Sequence, residues 1–264
     1  MALSIMSLNV GRLLQDRTTA YLEALNHDKD VPDVLCIQDL PFDGLPLLER
    51  WPHVTFAPMT NHYVNGERVV VGIAMASRFF VTNVVHHTTW GNGLLKDLQG
   101  INDKNERYLG EESDRLVEAT EDRVLVCGLV VKDGKRYHIA TTHGMWVRGG
   151  VVNDVQRKST AALCTRLGQI GHARNGLVLA ADMNMSRGGE IYQMVTDVMK
   201  DCMPETINTT LDPDHPYAKR GGSIVTDYVM MYPTSRRDPY RVRDVRLLPG
   251  VSDHQALFAT ITKE

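Results

Sequence analysis

The sequence predicts an α/β protein made of two packed mixed β-sheets with helices on their outer faces. Two observations lead to this. Short apolar, β-rich runs recur from residue 3 to residue 261, and amphipathic helical segments fall between only some of them.

Taken in order, Leu3–Leu8 reads as the first strand. The leading Met1-Ala2-Leu3-Ser4-Ile5-Met6 has neither a basic region nor a cleavage pattern, so it reads as structure rather than as a signal peptide. Arg17–Asn26 follows as a helix, then Val34–Gln38 and Val69–Ala76 as strands. Asn102–Arg123 is dense in both charge signs and poor in large apolar residues, and is expected to be a surface excursion. Val124–Val131 and Arg136–Thr142 form a hairpin through Lys132-Asp133-Gly134-Lys135, because Asp-Gly suits the positive φ angles of a tight turn. In Val151–Ala173, Val151, Val155, Leu163, Leu167 and Ile170 make one helical face, which Asn175-Gly176 ends. Leu177–Ala181, a helix over Glu190–Met199, and strands Ile224–Met231 and Gln255–Ile261 complete the chain. No repeat or low-complexity linker divides it, so residues 1–264 are expected to form a single domain.

An apolar fraction of 43% supports a large core without crosslinks. Cys36, Cys127, Cys164 and Cys202 lie far apart, which argues against a zinc site or a disulfide framework. No run reaches the roughly 18–20 apolar residues of a membrane span. A cytoplasmic monomer is the default expectation. The net charge of −3 argues against a strong non-specific nucleic-acid binder. It is compatible with an enzyme that touches a few phosphates through a local cluster such as Lys219-Arg220. That cluster and a second one, Arg236, Arg237, Arg241, Arg243 and Arg246, each read first as a solvated face.

The informative residues are polar ones at strand ends. Leu3–Leu8 ends at Asn9, Val34–Gln38 at Asp39, Arg136–Thr142 at His143, and Leu177–Ala181 at Asp182 with Asn184 two residues on. Asp227 interrupts Ile224–Met231, and Ser252-Asp253-His254 precedes the last strand. Each alone is most simply a turn former or a cap. As a set they imply a cation, because carboxylates gathered at one sheet rim are costly unless paired or bound to metal. Oxygen and amide donors without thiolates favour Mg2+ or Mn2+.

Leu8-Asn9-Val10, Ile37-Gln38-Asp39, Thr142-His143, Asp182-Met183-Asn184, Asp227-Tyr228-Val229 and Ser252-Asp253-His254 resemble the ordered signature blocks of the endonuclease/exonuclease/phosphatase (DNase I-like) family. The resemblance spans nearly the whole chain and implies a four-layer α/β/β/α sandwich with a phosphoesterase site at one rim. It implies a Mg2+ or Mn2+ ion on Asp39, with Asn9 and Asp253 completing or bracing the metal site. Asp182 would orient and deprotonate the attacking water, and Asn184 would hold that acid and a phosphate oxygen. His254 with Asp227 would act as general base or as a phosphate-stabilising imidazolium. His143 would contact the phosphate or protonate the leaving oxygen, with Glu67 as a candidate to orient it.

The chain departs from the family at Gln38-Asp39, where the family has Gln-Glu. The shorter acid implies a shifted ion, a bridging water or the more forgiving Mn2+, since Mg2+ bonds are held near roughly 2.0–2.1 Å. The expected substrate is nucleic acid, with Arg148, Lys219 and Arg220 as candidate backbone contacts. The loop carrying Met145, Trp146 and Arg148 can stack on a base, or Trp146 can simply pack on the sandwich edge. A small or lipid-linked phosphate ester and a non-catalytic module keeping the fold are the alternatives.

Overall fold

The computed structural model describes residues 2–28, 31–64, 66–102, 110–233 and 240–263. These form two six-stranded mixed sheets. The first contains β1 (Ala2–Asn9), β2 (Val34–Pro41), β3 (His53–Val64), β4 (Glu67–Ser77), β11 (Tyr240–Leu248) and β12 (Ala256–Lys263), in the order β11-β12-β1-β2-β4-β3. The second contains β5 (Val81–Trp90), β6 (Arg123–Lys132), β7 (Lys135–Thr142), β8 (Val178–Asp182), β9 (Lys200–Asp201) and β10 (Asp227–Met231), in the order β5-β6-β7-β8-β10-β9. Each sheet has one parallel pair, β1–β2 and β7–β8, at its centre.

Alternation along the strands builds the layers. In β1, Leu3 and Ile5 enter the core shared with the second sheet, while Met6 and Leu8 join a separate core on the outer side. In β2, Val34 and Cys36 face inward, and Leu35 and Ile37 face outward. Leu22 and Leu25 of α1 (Asp16–Leu25) cover that outer side together with Leu48 and Trp51. Both faces of these strands are thus covered, which is why β2 is buried throughout. Leu163 and Leu167 of α3 (Asp154–Arg174) and Ile191 and Val195 of α4 (Glu190–Thr196) pack on the second sheet.

All eight strands read from the sequence are present. The Asp133-Gly134 turn takes φ values of 52° and 74°, and Asn175 closes α3 in the left-handed region. α3 starts later than expected, because the Asn153 side chain accepts the Gln156 N–H and caps it there. The strands that the sequence did not announce, β3, β5, β9 and β11, are the four sheet edges. An edge strand is only half covered, so it carries no continuous apolar run. In β11 the exposed Arg241, Arg243 and Arg246 blunt the edge, and Arg246 stacks on Phe258. Arg236 and Arg237 of that basic cluster lie outside the described residues.

The segment Asn102–Arg123 runs between β5 and β6, and its Glu111, Glu112 and Arg115 are exposed, as expected of a surface excursion, but its end differs. Its described part holds α2 (Glu111–Thr120) and ends in buried Glu121, Asp122 and Arg123. These three charges are folded into the protein rather than solvated. No helix among the described residues is long and apolar enough to cross a membrane.

Candidate active site

The inward-facing alternation of the central strands turns polar at one rim, and the two sheets meet there residue against residue. One layer below the rim, Gln38 Nε2 donates to Thr141 Oγ1 across the sheets at 2.9 Å. At the rim, three cross-sheet pairs stand side by side. His254 Nδ1 is 2.9 Å from Asp227 Oδ2, Asn9 Nδ2 donates to Asp182 Oδ2 at 2.8 Å, and His143 Nδ1 is 3.1 Å from Asp39 Oδ1. They follow from strand order, because β12, β1 and β2 are consecutive in one sheet and β10, β8 and β7 in the other.

Asp182 is the hub. Its Oδ2 also lies 3.5 Å from His143 Nε2 and 3.9 Å from His254 Nε2, and its Oδ1 accepts the Asn184 N–H at 2.9 Å. Asp227 sits directly opposite it on the neighbouring strand. Burial and this second carboxylate raise the Asp182 pKa. For His254, burial opposes the charged ring, but Asp227 and Asp182 outweigh it and push its pKa up to about 10. The His254 imidazolium is therefore the resident form at neutral pH.

Asn184 adopts φ 48°, which swings its amide back over the rim. Its Nδ2 donates to the Gly144 carbonyl at 3.1 Å and lies 2.9 Å from His143 Nε2. A carbonyl only accepts, so the amide nitrogen faces this way. The other ring nitrogen, Nδ1, faces Asp39.

Asp39 reaches His143 through a backbone device. Strict alternation would turn it away from Gln38, but the β2–β4 register shifts between Ile37 and Leu40, and Asp39 takes φ 56°. The bulge re-aims its side chain along the rim. Its Oδ2 takes Arg12 Nε at 3.4 Å. Burial would raise the Asp39 pKa, but the His143 ring and the Arg12 guanidinium hold it well below the usual carboxylate range. Arg12 Nη2 continues to Glu121 Oε1 at 2.6 Å, and Glu121 also takes a two-pronged contact from Arg123 at 3.0 and 3.1 Å.

The expected ion ligands do not converge on Asp39. Asn9 Oδ1 accepts the Gly11 N–H, and its Nδ2 is committed to Asp182. Asp253 instead groups with His215 and His254, and Asp182 and Asp227 group with His254. In the His215–Asp253–His254 cluster the His254 ring is protonated, which leaves the Asp253 carboxylate and the His215 imidazole as the donors for a divalent ion that accepts nitrogen. The family-type position at Asp39, faced by a guanidinium, does not fit one.

Glu67 is exposed at the start of β4 and is not the partner of His143, a place that Asp39 takes. Arg148 Nε contacts both oxygens of Asp114 on α2, at 3.0 and 3.2 Å. Lys219 and Arg220 are exposed on a short 3-10 turn, Lys219 beside Asp214 at 3.3 Å. Trp146 is half-buried.

Three residues of the site escaped the sequence reading. His215 packs edge-on against His254 with ring centroids 5.7 Å apart, and burial and His254 lower its pKa. It lies in Asp212-Pro213-Asp214-His215-Pro216, whose composition announces only a turn. Arg12 lies past the end of β1 with no local signal. Glu121 was hidden in a charged segment, although its position two residues before an apolar strand offered a clue.

No protein-family profile and no curated protein matches this chain. Solved structures do. The chain is similar to the endonuclease/exonuclease/phosphatase from Bacteroides vulgatus, with a TM-score of 0.67, 14% identity and 100% of both chains covered. Humanized D. rerio TDP2 aligns with a TM-score of 0.65 at 15% identity over 99% of both chains. Staphylococcus aureus beta toxin, in a structure with bound magnesium ions, aligns with a TM-score of 0.58 at 14% identity over 98% of this chain and 99% of that one. Two six-stranded mixed sheets with outer helices, and these full-length superpositions, show that the chain has the DNase I-like fold of the endonuclease/exonuclease/phosphatase structures.

Proposed function

We propose that the protein hydrolyses phosphate esters, with nucleic-acid phosphodiesters as the first substrate class. The observation that carries this is the convergence on Asp182 Oδ2 of Asn9, His143 and His254 from opposite sheets.

In this reading Asp182 is the general base. Its raised pKa makes it a better proton acceptor than an ordinary carboxylate, while the Asn9 amide orients it. The His254 imidazolium, held by Asp227, offers Nε2–H to a phosphoryl oxygen and offsets the charge that repels a nucleophile. His143 stands on the other side of Asp182, with Nε2 3.5 Å from Oδ2, where it can contact the phosphate. Asn184 orients that ring. A divalent ion that tolerates a nitrogen ligand, Mn2+ rather than Mg2+, held by Asp253 and His215, would add positive charge at the phosphoryl group when bound.

The exposed Lys219 and Arg220, on the loop that carries His215, support a polyanionic substrate. Asp182 and Asp227 are each 1% exposed, which favours a second reading: a small ester whose phosphate enters alone. The test is a turnover screen over oligonucleotides and small phosphate esters, with Mg2+, Mn2+ or EDTA. Asp182→Ala is expected to lower kcat by at least about 100-fold, the lower range for losing an acid–base group. Undiminished turnover in that variant would remove the reading.

A further inference from the structure

The residues around Asp39 form a closed set of charges. Arg12 and Arg123 supply two cations, and Asp39 and Glu121 supply two carboxylates, all buried. The links run from Asp39 to Arg12 at 3.4 Å, from Arg12 to Glu121 at 2.6 Å, and from Glu121 to Arg123 at 3.0 and 3.1 Å. Buried charges persist when paired and hydrogen-bonded, and this group is balanced without a further ion. A divalent ion on Asp39 would sit against the Arg12 guanidinium, in surroundings where like charges repel strongly.

The two oxygens of Asp39 are also divided. One accepts the Nδ1–H of His143, and the other faces Arg12. Resting on the phosphoesterase reading of the rim, we propose that Arg12 is the resident cation at Asp39, and that Asp39 positions His143 instead of ligating a divalent ion. The departure at Gln38-Asp39 then has a physical sense. The shorter acid, turned by a left-handed bulge, spans from His143 to Arg12. Glu121 and Arg123 keep Arg12 in place, and any divalent ion is left to the Asp253 and His215 side.

The experiment is a Mn2+ titration of the full chain, followed by electron paramagnetic resonance. It compares the parent with Asp39→Asn, Arg12→Gln and the double variant. Asp39→Asn should leave Mn2+ affinity within about twofold of the parent, whereas losing even an outer partner of a metal site costs at least about 10-fold. Arg12→Gln should gain affinity or a further ion, and the double variant should lose that gain. A 10-fold loss in Asp39→Asn would overturn the proposal. So would the absence of Mn2+ binding in both the parent and a folded Arg12→Gln. If Arg12→Gln does not fold, Asp39→Asn decides alone when the parent binds Mn2+. When it does not, Arg123→Gln, which loosens Arg12 through Glu121, takes its place and must show Mn2+ binding. Turnover is not part of the readout. A failed substrate screen leaves the titration valid, and a failed titration leaves the roles of Asp182 and His254 standing.

Discussion

Asn9 and Asp182 tie the rims of the two sheets together, Nδ2 donating to Oδ2 at 2.8 Å. The Gly11 N–H occupies the Asn9 carbonyl oxygen at 2.9 Å, so the amide nitrogen can only face the carboxylate. The pair lies between Asp39–His143 on one flank and Asp227–His254 on the other. Asp182 thus has a neutral donor where a charged residue would change its protonation.

Asn9→Asp would set a second carboxylate against one whose pKa Asp227 already raises. Two acids so close share a proton. A rise that carries the Asp182 pKa past the working pH removes the ionised form, by about 10-fold for each unit beyond it. Turnover at pH 7 should therefore fall more in Asn9→Asp than in Asn9→Ala, and the acid limb of the pH–rate profile should move upward. Equal losses with an unmoved limb would contradict the role given to Asp182.

Gly144 follows His143, and its N–H donates to the Asp182 carbonyl at 2.8 Å. A Cβ here would lie 2.1 Å from the Met183 carbonyl oxygen, a backbone atom that cannot turn aside. Gly144→Ala must push His143 and Asn184 apart. A shift near 1 Å costs on the order of 100-fold in rate, and overpacking costs about 1–3 kcal/mol of stability. Kinetics and denaturant unfolding of one preparation measure both, and wild-type turnover would refute the close approach.

Glu121→Gln leaves Arg12 and Arg123 without their shared counter-charge. Breaking a buried pair from one side costs about 3–5 kcal/mol. Urea unfolding should show a loss of that order. A loss below about 1 kcal/mol, typical of an exposed pair, would mean that the network is solvated.

The raised pKa of His254 makes stability depend on pH in the ion-free protein. Its folded value of about 10 lies above the unfolded value near 6.5. The contribution is full below about pH 6.5 and is lost as pH rises through 10. In EDTA, parent stability should decline from pH 6 to pH 10, and His254→Gln should flatten that decline. Parallel curves would show that the ring is not held as an imidazolium.

If nucleic acid is the substrate, Lys219→Ala and Arg220→Ala should each flatten the salt dependence of oligonucleotide binding by about one unit of slope or less. Unchanged slopes would return both residues to a solvated surface. Arg148, already engaged by Asp114, is expected to move the slope less.

The sequence alone determined the buried strands and the rim residues, because an apolar run that meets a polar residue is a local signal. Asn9, His143, Asp182, Asp227 and His254 were legible in that way. The edge strands were not, since half-covered segments such as Tyr240–Leu248 mix charges with apolar residues. Tertiary structure decided which polar residue faces which, since strand order across two sheets sets the pairs His254–Asp227, Asn9–Asp182 and Asp39–His143. It also decided that Asp39 meets a guanidinium. Arg12 and Glu121 are 109 residues apart, and only folding brings their charges close enough to hold each other out of water.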